Sequence, residues 1–138
     1  MILFTSDKRA KPLINSIYIN LGIAIFVALF GAIYEMFSHE VYSYYMIYAF
    51  GIPLILGVLC PVLTPVLFKR FPREFEAALW NLSIVTLTVG SILKGIVDIY
   101  GSSNRKLVFY PITGGILALL AVIVFISKKH KRDAEFIN

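Results

Sequence analysis

The sequence predicts an all-α fold: a transmembrane four-helix bundle that occupies residues 1–138 as a single integral membrane domain. Of its 138 residues, 59% are hydrophobic and 15% are charged, and the mean hydropathy is +0.82. Soluble domains carry about 25% charged residues. In addition, four apolar runs reach the roughly 20 residues that a helix needs to cross a bilayer. The predicted spans are about 16–37, 42–68, 77–100 and 107–126.

The basic residues are sorted between the two ends of these spans. The two tails and the second connection carry ten of them: Lys8, Arg9, Lys11, Lys69, Arg70, Arg73, Lys128, Lys129, Lys131 and Arg132. The third connection carries only Arg105 and Lys106, and the first connection carries none. Because Lys and Arg accumulate in cytoplasmic loops, we expect an up-down-up-down protein of the cell membrane with both termini in the cytoplasm. The basic clusters would then meet anionic lipid headgroups, and we expect no nucleic-acid partner.

Polar and small residues lie on one face of the first and third spans. On the third span they follow steps of three and four: Asn81, Ile84, Thr88, Ser91, Gly95 and Asp98. On the first span such a face contains Asn20 and ends at Glu35. Small residues let helix backbones approach closely. We therefore expect a polar core of Asn20, Asn81, Thr88 and Ser91, with the two asparagines at similar depth.

The second span contains three prolines, Pro53, Pro61 and Pro65. Each removes a backbone donor and clashes with the carbonyl four residues earlier, so we expect helix kinks. The freed carbonyls, at Ala49, Gly57 and Pro61, need partners in protein or water. Two interpretations remain open: an ordinary proline kink, or a wet crevice beside residues 57–64.

The second connection, residues 69–76, mixes basic and acidic residues with Phe71 and Phe75. This mixture is typical of an interfacial turn. We expect the phenylalanines to enter the bilayer and the charged groups to remain in water.

Charged residues inside a span are costly and favour a functional explanation. Lys94 and Asp98 lie four residues apart in the third span, a spacing that lets the two side chains pair. Glu35 is expected at a comparable depth on the first span. We therefore predict a charged cluster of Glu35, Lys94 and Asp98 near the outer surface. It is either a site that binds a ligand or an ion, or a set of interhelical contacts.

Several chemistries find no support in the sequence. One cysteine, Cys60, cannot form an intrachain disulfide or a redox pair. His39 and His130 are expected at opposite membrane faces, which does not suit haem ligation. Clustered Cys and His ligands for a metal are missing, as are a phosphate-binding loop and a Ser-His-Asp arrangement. We therefore expect no metal, no cofactor and no enzymatic activity.

Two segments, MIYAFGIPLILG (Met46–Gly57) and LTVGSILKGIVDIYGSSN (Leu87–Asn104), carry a resemblance. They resemble segments of short, uncharacterised bacterial membrane proteins with four spans. The resemblance implies a four-span fold and carries no known activity.

Two functional hypotheses follow from these features. The first is a membrane protein that binds or transports a small solute or cation through the charged cluster, as a homodimer. The second is a non-catalytic assembly, regulatory or immunity-type subunit that contacts a membrane partner protein through its small-residue faces.

Overall fold

The computed structural model describes residues 10–137, apart from the side chains of residues 129, 132, 133 and 136. Lys8 and Arg9, two of the basic residues from which the membrane orientation is predicted, therefore lie outside the described residues. The side chains of Lys129 and Arg132 do so as well. The helices are α1 (Lys11–Phe37), α2 (Tyr44–Ile47), α3 (Gly51–Leu54), α4 (Cys60–Phe68), α5 (Glu74–Ile99) and α6 (Phe109–Ile137). A π-helical segment, Ile55–Leu59, joins α3 to α4, and a 3₁₀ turn, Arg105–Val108, precedes α6.

Four helical stretches are long and apolar enough to cross a membrane: Lys11–Phe37, Tyr44–Phe68, Glu74–Ile99 and Arg105–Lys128. The predicted all-helical fold with four such helices is therefore confirmed. The first helix starts earlier than the predicted span, and Pro12 explains why. Proline suits the first turn of a helix, where its missing N–H has no partner to lose, and the structure places it there.

Met46 of α2 packs between two glycines of neighbouring helices. A Cβ on Gly95 of α5 would lie 2.9 Å from Met46 Cβ, and one on Gly31 of α1 would lie 3.3 Å from the Met46 carbonyl oxygen. Met46 itself is 1% exposed. The short helix α2 is thereby held between α1 and α5.

The last helix, α6, packs chiefly on α5. Two glycines allow this close approach: a Cβ on Gly90 would lie 2.4 Å from Tyr110 Cβ, and one on Gly114 would lie 2.5 Å from Leu87 Cγ. Ser83 Oγ also donates a hydrogen bond of 2.8 Å to the Gly114 carbonyl. The small residues at this contact therefore join α6 to α5.

The four spans do not share the core equally. In the fourth span 11% of the apolar window is buried, against 28% in each of the other three. The bundle is therefore looser around α6 than the small-residue faces predicted. A gap remains on the side of α6 that faces α3 and α4, and two cavities lie along it.

The second span departs from α-helical hydrogen bonding at two places. Residues 48–50 form a turn between α2 and α3, just before Pro53, and the π-helical segment ends just before Pro61. Pro65, in contrast, lies inside the α-helix α4. The Ala49 carbonyl, which Pro53 deprives of its usual donor, accepts a bond of 3.3 Å from Ile52 N.

A side chain replaces the backbone donor that Pro61 removes. In the π register the N–H of a residue bonds to the carbonyl five residues earlier, and Cys60 N bonds Ile55 O in this way. The next donor would be residue 61, which as proline has none. Trp80 Nε1 of α5 donates to the Leu56 carbonyl instead, at 2.8 Å. The carbonyl that needs a partner is therefore Leu56, whereas the α-helical reading of the sequence predicted Gly57.

Candidate functional site

Lys94 and Asp98 form an ion pair on α5. Lys94 Nζ lies 2.5 Å from Asp98 Oδ1, and the two side chains are 35% and 29% exposed. A helix brings residues four apart onto one face, which is why the pair forms within a single element. Ser43 Oγ donates a longer hydrogen bond of 3.4 Å to Asp98 Oδ2.

Tyr45 of α2 adds an aromatic face to this pair. Lys94 Nζ lies 5.5 Å from the centroid of the Tyr45 ring, within the range of a cation–π interaction. Ser91 Oγ donates to the Tyr45 carbonyl at 2.7 Å, so the backbone of α2 is fixed to the same face of α5. Ser91, a predicted polar-core residue, thus supports the charged pair indirectly, through the backbone of Tyr45.

Glu35 is not brought into ion-pair distance of Lys94: the ion pairs among the described residues are Arg70–Glu76 and Lys94–Asp98. Its Oε1 atom is buried and has no hydrogen-bond partner among the described residues. The reason is the position of Met46, which lies between Gly31 of α1 and Gly95 of α5. Glu35, one turn beyond Gly31, is therefore separated from the pair by α2.

A cavity of about 720 Å³, here called the Lys94 cavity, opens beside the ion pair. Its wall includes Tyr45, Ser91, Lys94, Asn104 and Arg105, from α2, α5 and the turn before α6. Asp98 and Glu35 are not among its lining residues. Both charged groups on the wall are therefore cations. An ammonium has three donors, so Lys94 can bond an acceptor in the cavity while it stays paired with Asp98.

Asn20 and Asn81 meet across the bundle. Asn20 Nδ2 and Ser16 Oγ each donate to Asn81 Oδ1 at 2.9 Å, and Asn20 Nδ2 also reaches the Ser16 carbonyl at 2.9 Å. Thr88, in contrast, bonds its own helix, donating to the Ile84 carbonyl at 2.7 Å. The cross-bundle contact of the polar core therefore depends on the two asparagines and Ser16.

Arg70 and Glu76, whose charged groups were expected in water, form a buried ion pair. Arg70 Nη2 lies 2.7 Å from Glu76 Oε1, and the side chains are 10% and 2% exposed. Arg70 Nη1 donates to the Phe125 carbonyl at 2.9 Å, and the guanidinium lies 4.6 Å from the Phe125 ring centroid. Arg73 N donates to Glu76 Oε2 at 3.1 Å, a Glu-at-N3 arrangement that caps the start of α5.

The sequence signal near this pair is Glu76, three residues after Arg73 at the N-cap of α5, where a glutamate commonly caps a helix. Lys69 ends α4 in a left-handed conformation with φ of 50°. This turn directs Arg70 back under the bundle. The charges of residues 69–76 therefore do not all face water, and Arg70 joins α5 to α6.

A second cavity of about 240 Å³, here called the Trp80 cavity, lies near the Arg70–Glu76 pair. It is bounded by α1, α4, α5 and α6 and is lined mostly by apolar groups. Its lining includes Leu13, Ser16, Cys60, Pro61, Thr64, Phe68, Pro72, Glu76, Ala77, Trp80, Asn81, Ala121, Val122, Phe125 and Ile126. Part of this cavity adjoins residues 57–64, where the sequence left a wet crevice open. The groups that line it are mostly apolar, which does not favour a water-filled crevice.

Among the side chains that the structure describes, no group of three or more His, Cys, Asp and Glu residues is placed to hold a metal ion. The four helices that are long and apolar enough to cross a membrane fit a small membrane protein with four spans. No protein-family model, curated protein or solved structure matches the chain. The four spans agree with the fold that the resemblance to bacterial membrane proteins implies, and the family itself remains a prediction.

Proposed function

We propose that this protein binds or transports a small solute through the Lys94 cavity, without catalysing a reaction. The observation that carries the proposal is an ion pair inside a membrane-spanning helix, beside a cavity that reaches its ammonium group. Ionisable residues at such positions mark ligand or ion pathways in membrane proteins. The volume of about 720 Å³ also falls in the roughly 300–1,000 Å³ range of small-molecule sites.

The wall chemistry favours a solute with a negative group over a cation. Lys94 and Arg105 line the cavity, whereas Asp98 and Glu35 do not. Arg105 forms no ion pair within 4 Å with another described residue. Its guanidinium can therefore offer two parallel donors to a carboxylate. Ser91 and Asn104 add neutral polar groups beside the two cations.

The proposed orientation follows the basic residues. In this orientation the protein lies in the cell membrane with both termini and residues 69–73 on the cytoplasmic side. Lys and Arg residues usually accumulate on that side. The Lys94 cavity then belongs to the outer half of an up-down-up-down bundle and the Trp80 cavity to the inner half. Lys69 and Arg73, both exposed, would contact anionic headgroups.

The test is calorimetric titration of the purified protein with four probes: acetate, succinate, glycine and choline. We expect binding of a probe that carries a carboxylate and none of choline. Lys94→Met should weaken that binding about tenfold or more, because a hydrogen bond to a charged group contributes about 1.5–3 kcal/mol. Asp98→Asn should strengthen it, because the ammonium loses its competing partner.

Lys106→Met is the matched control. Lys106 is exposed, belongs to the same turn as Arg105, and does not line the cavity. Its replacement should leave the affinity unchanged. If no carboxylate probe binds to the folded protein, or Lys94→Met binds as well as the original chain, the proposed site is wrong.

A specific observation favours the second candidate function, a non-catalytic assembly or regulatory subunit. The apolar window of the fourth span is only 11% buried, and α6 presents exposed Ile116, Leu119 and Ile123. Such a surface is available to a membrane partner protein or a second copy of the chain. Chemical crosslinking in membranes from a Leu119→Cys, Cys60→Ala variant distinguishes these partners. An adduct with twice the mass of the chain indicates a second copy, an adduct of another defined mass indicates a partner protein and supports this function, and the absence of any adduct opposes it.

A further inference from the structure

The Trp80 cavity is a gap left by the packing of α6. Because α6 packs chiefly on α5, its Val122 and Phe125 face Thr64 and Phe68 of α4 across the cavity. Phe68 and Phe125 meet edge to face, with ring centroids 5.4 Å apart. The ring contact and the hydrogen bond from Arg70 to the Phe125 carbonyl thus hold α6 near this end of the bundle, and the cavity lies beside them.

Four of the polar side chains on the cavity wall are already hydrogen-bonded or paired. Thr64 Oγ1 donates to the Cys60 carbonyl at 2.8 Å, and Ser16 Oγ donates to Asn81 Oδ1. Trp80 Nε1 is bonded to Leu56 O, and the Glu76 carboxylate is neutralised by Arg70. A ligand therefore meets hydrocarbon and aromatic surface. The volume of about 240 Å³ exceeds the roughly 150 Å³ of an apolar cavity that binds benzene.

The cavity is open toward the surface that faces lipid. Three of its lining residues are also substantially exposed: Phe68 at 42%, Val122 at 41% and Ile126 at 53%. In a membrane-spanning bundle, an exposed apolar side chain faces acyl chains. A lipid chain can therefore enter between α4 and α6 without crossing a polar barrier.

Two basic residues directly follow residues of the cavity wall in the sequence. Lys69 directly follows Phe68, Arg73 directly follows Pro72, and both basic residues are exposed. We propose that the Trp80 cavity holds one acyl chain of an anionic phospholipid whose headgroup is bound by Lys69 and Arg73. The occupant is distinct from the solute of the Lys94 cavity, and the proposal does not depend on that site.

The chain offers its own probe, because Trp80 is the single tryptophan and lies on the cavity wall. Bromine atoms on an acyl chain quench a nearby indole. The experiment reconstitutes the protein in unbrominated phosphatidylcholine and adds brominated phosphatidylglycerol or brominated phosphatidylcholine at matched mole fractions. We expect saturable quenching of Trp80 by phosphatidylglycerol with an apparent affinity about fivefold or more above phosphatidylcholine, since each basic residue contributes about 1 kcal/mol.

Val122→Phe places a larger side chain at the entrance and should remove this preference. Leu119→Phe is the matched control, because Leu119 is 64% exposed on the same helix and does not line the cavity. Enrichment of anionic lipid at the basic surface alone would persist in Val122→Phe. Equal quenching by the two lipids, or a preference that survives Val122→Phe, overturns the proposal.

If Val122→Phe does not fold, a variant without the two basic side chains tests the proposed headgroup site. The double change Lys69→Gln and Arg73→Gln leaves the cavity wall intact and should lower the apparent affinity for phosphatidylglycerol to that for phosphatidylcholine. A preference for phosphatidylglycerol retained in this folded variant contradicts the assignment of the headgroup site.

Discussion

At the scale of single residues, Gly57 sets how closely α1 approaches the second span. A Cβ at this position would lie 2.4 Å from Asn20 Cγ and 2.6 Å from its Oδ1. Asn20 is the residue that bonds Asn81 across the bundle. The missing side chain of Gly57 therefore makes room for the amide that links α1 to α5.

We predict that Gly57→Ala destabilises the protein by about 1–3 kcal/mol, the usual cost of overpacking. Asn20 would have to move away from Asn81. Gly22→Ala is the control, since its Cβ meets no atom within 4 Å, and its helix propensity should improve by up to about 1 kcal/mol. Reversible unfolding in mixed detergent micelles measures both changes, and equal stability of the two variants would contradict the prediction.

Residue-level predictions from the sequence succeeded where both partners lie on regular helices. The four-residue spacing of Lys94 and Asp98 predicted their pairing, and the similar depth of Asn20 and Asn81 predicted their contact. Glu35 could not be placed this way, because the intervening helix α2 begins only after an irregular connection. Arg70 was misjudged because its direction depends on the left-handed conformation of Lys69.

At the scale of elements, the second span depends on α5 for a hydrogen bond that it cannot make itself. Pro61 leaves the Leu56 carbonyl without a backbone donor in the π register, and Trp80 Nε1 donates a hydrogen bond to this carbonyl instead. The three prolines predicted irregular hydrogen bonding in this span. They did not predict which helical register forms, and the contacts of this segment with Asn20 and Trp80 come from other helices.

We predict that Trp80→Phe costs about 1 kcal/mol through loss of this bond, in addition to any packing change. Pro61→Ala restores a backbone donor to the same turn. The cost of Trp80→Phe should therefore be smaller in the Pro61→Ala background. A double-mutant cycle on unfolding free energies measures the difference, and an identical cost in both backgrounds would refute the role given to the indole.

At the scale of the whole molecule, α6 belongs to the least buried of the four spans. It contacts α5 through Gly90, Gly114 and Ser83, and Arg70 bonds its Phe125 carbonyl. Hydropathy and length sufficed to predict four spanning helices. Small-residue faces predicted that the helices pack closely, but such a face does not specify its neighbour, so the two cavities beside α6 could not be foreseen.

The proposed orientation predicts which connections are reached from outside the cell. In a Cys60→Ala background, Ser103→Cys should react with a membrane-impermeant maleimide on intact cells. His130→Cys should react only after the membrane is permeabilised. Both native residues are exposed in the structure. The reverse pattern would invert the orientation, and labelling of both in intact cells would mean that α6 does not cross the membrane.

The Lys94–Asp98 pair also has a consequence for biogenesis. Both partners belong to α5, so they can neutralise each other as soon as that helix forms, before any neighbour has docked. Each unpaired charge at the centre of a span adds about 2.5–3.5 kcal/mol to the free energy of translocon-mediated insertion. The nascent third span can thus enter the bilayer as a helix whose two internal charges neutralise each other. Arg70 lies in the connection six residues before Glu76, so their pair additionally requires the turn between α4 and α5 to form.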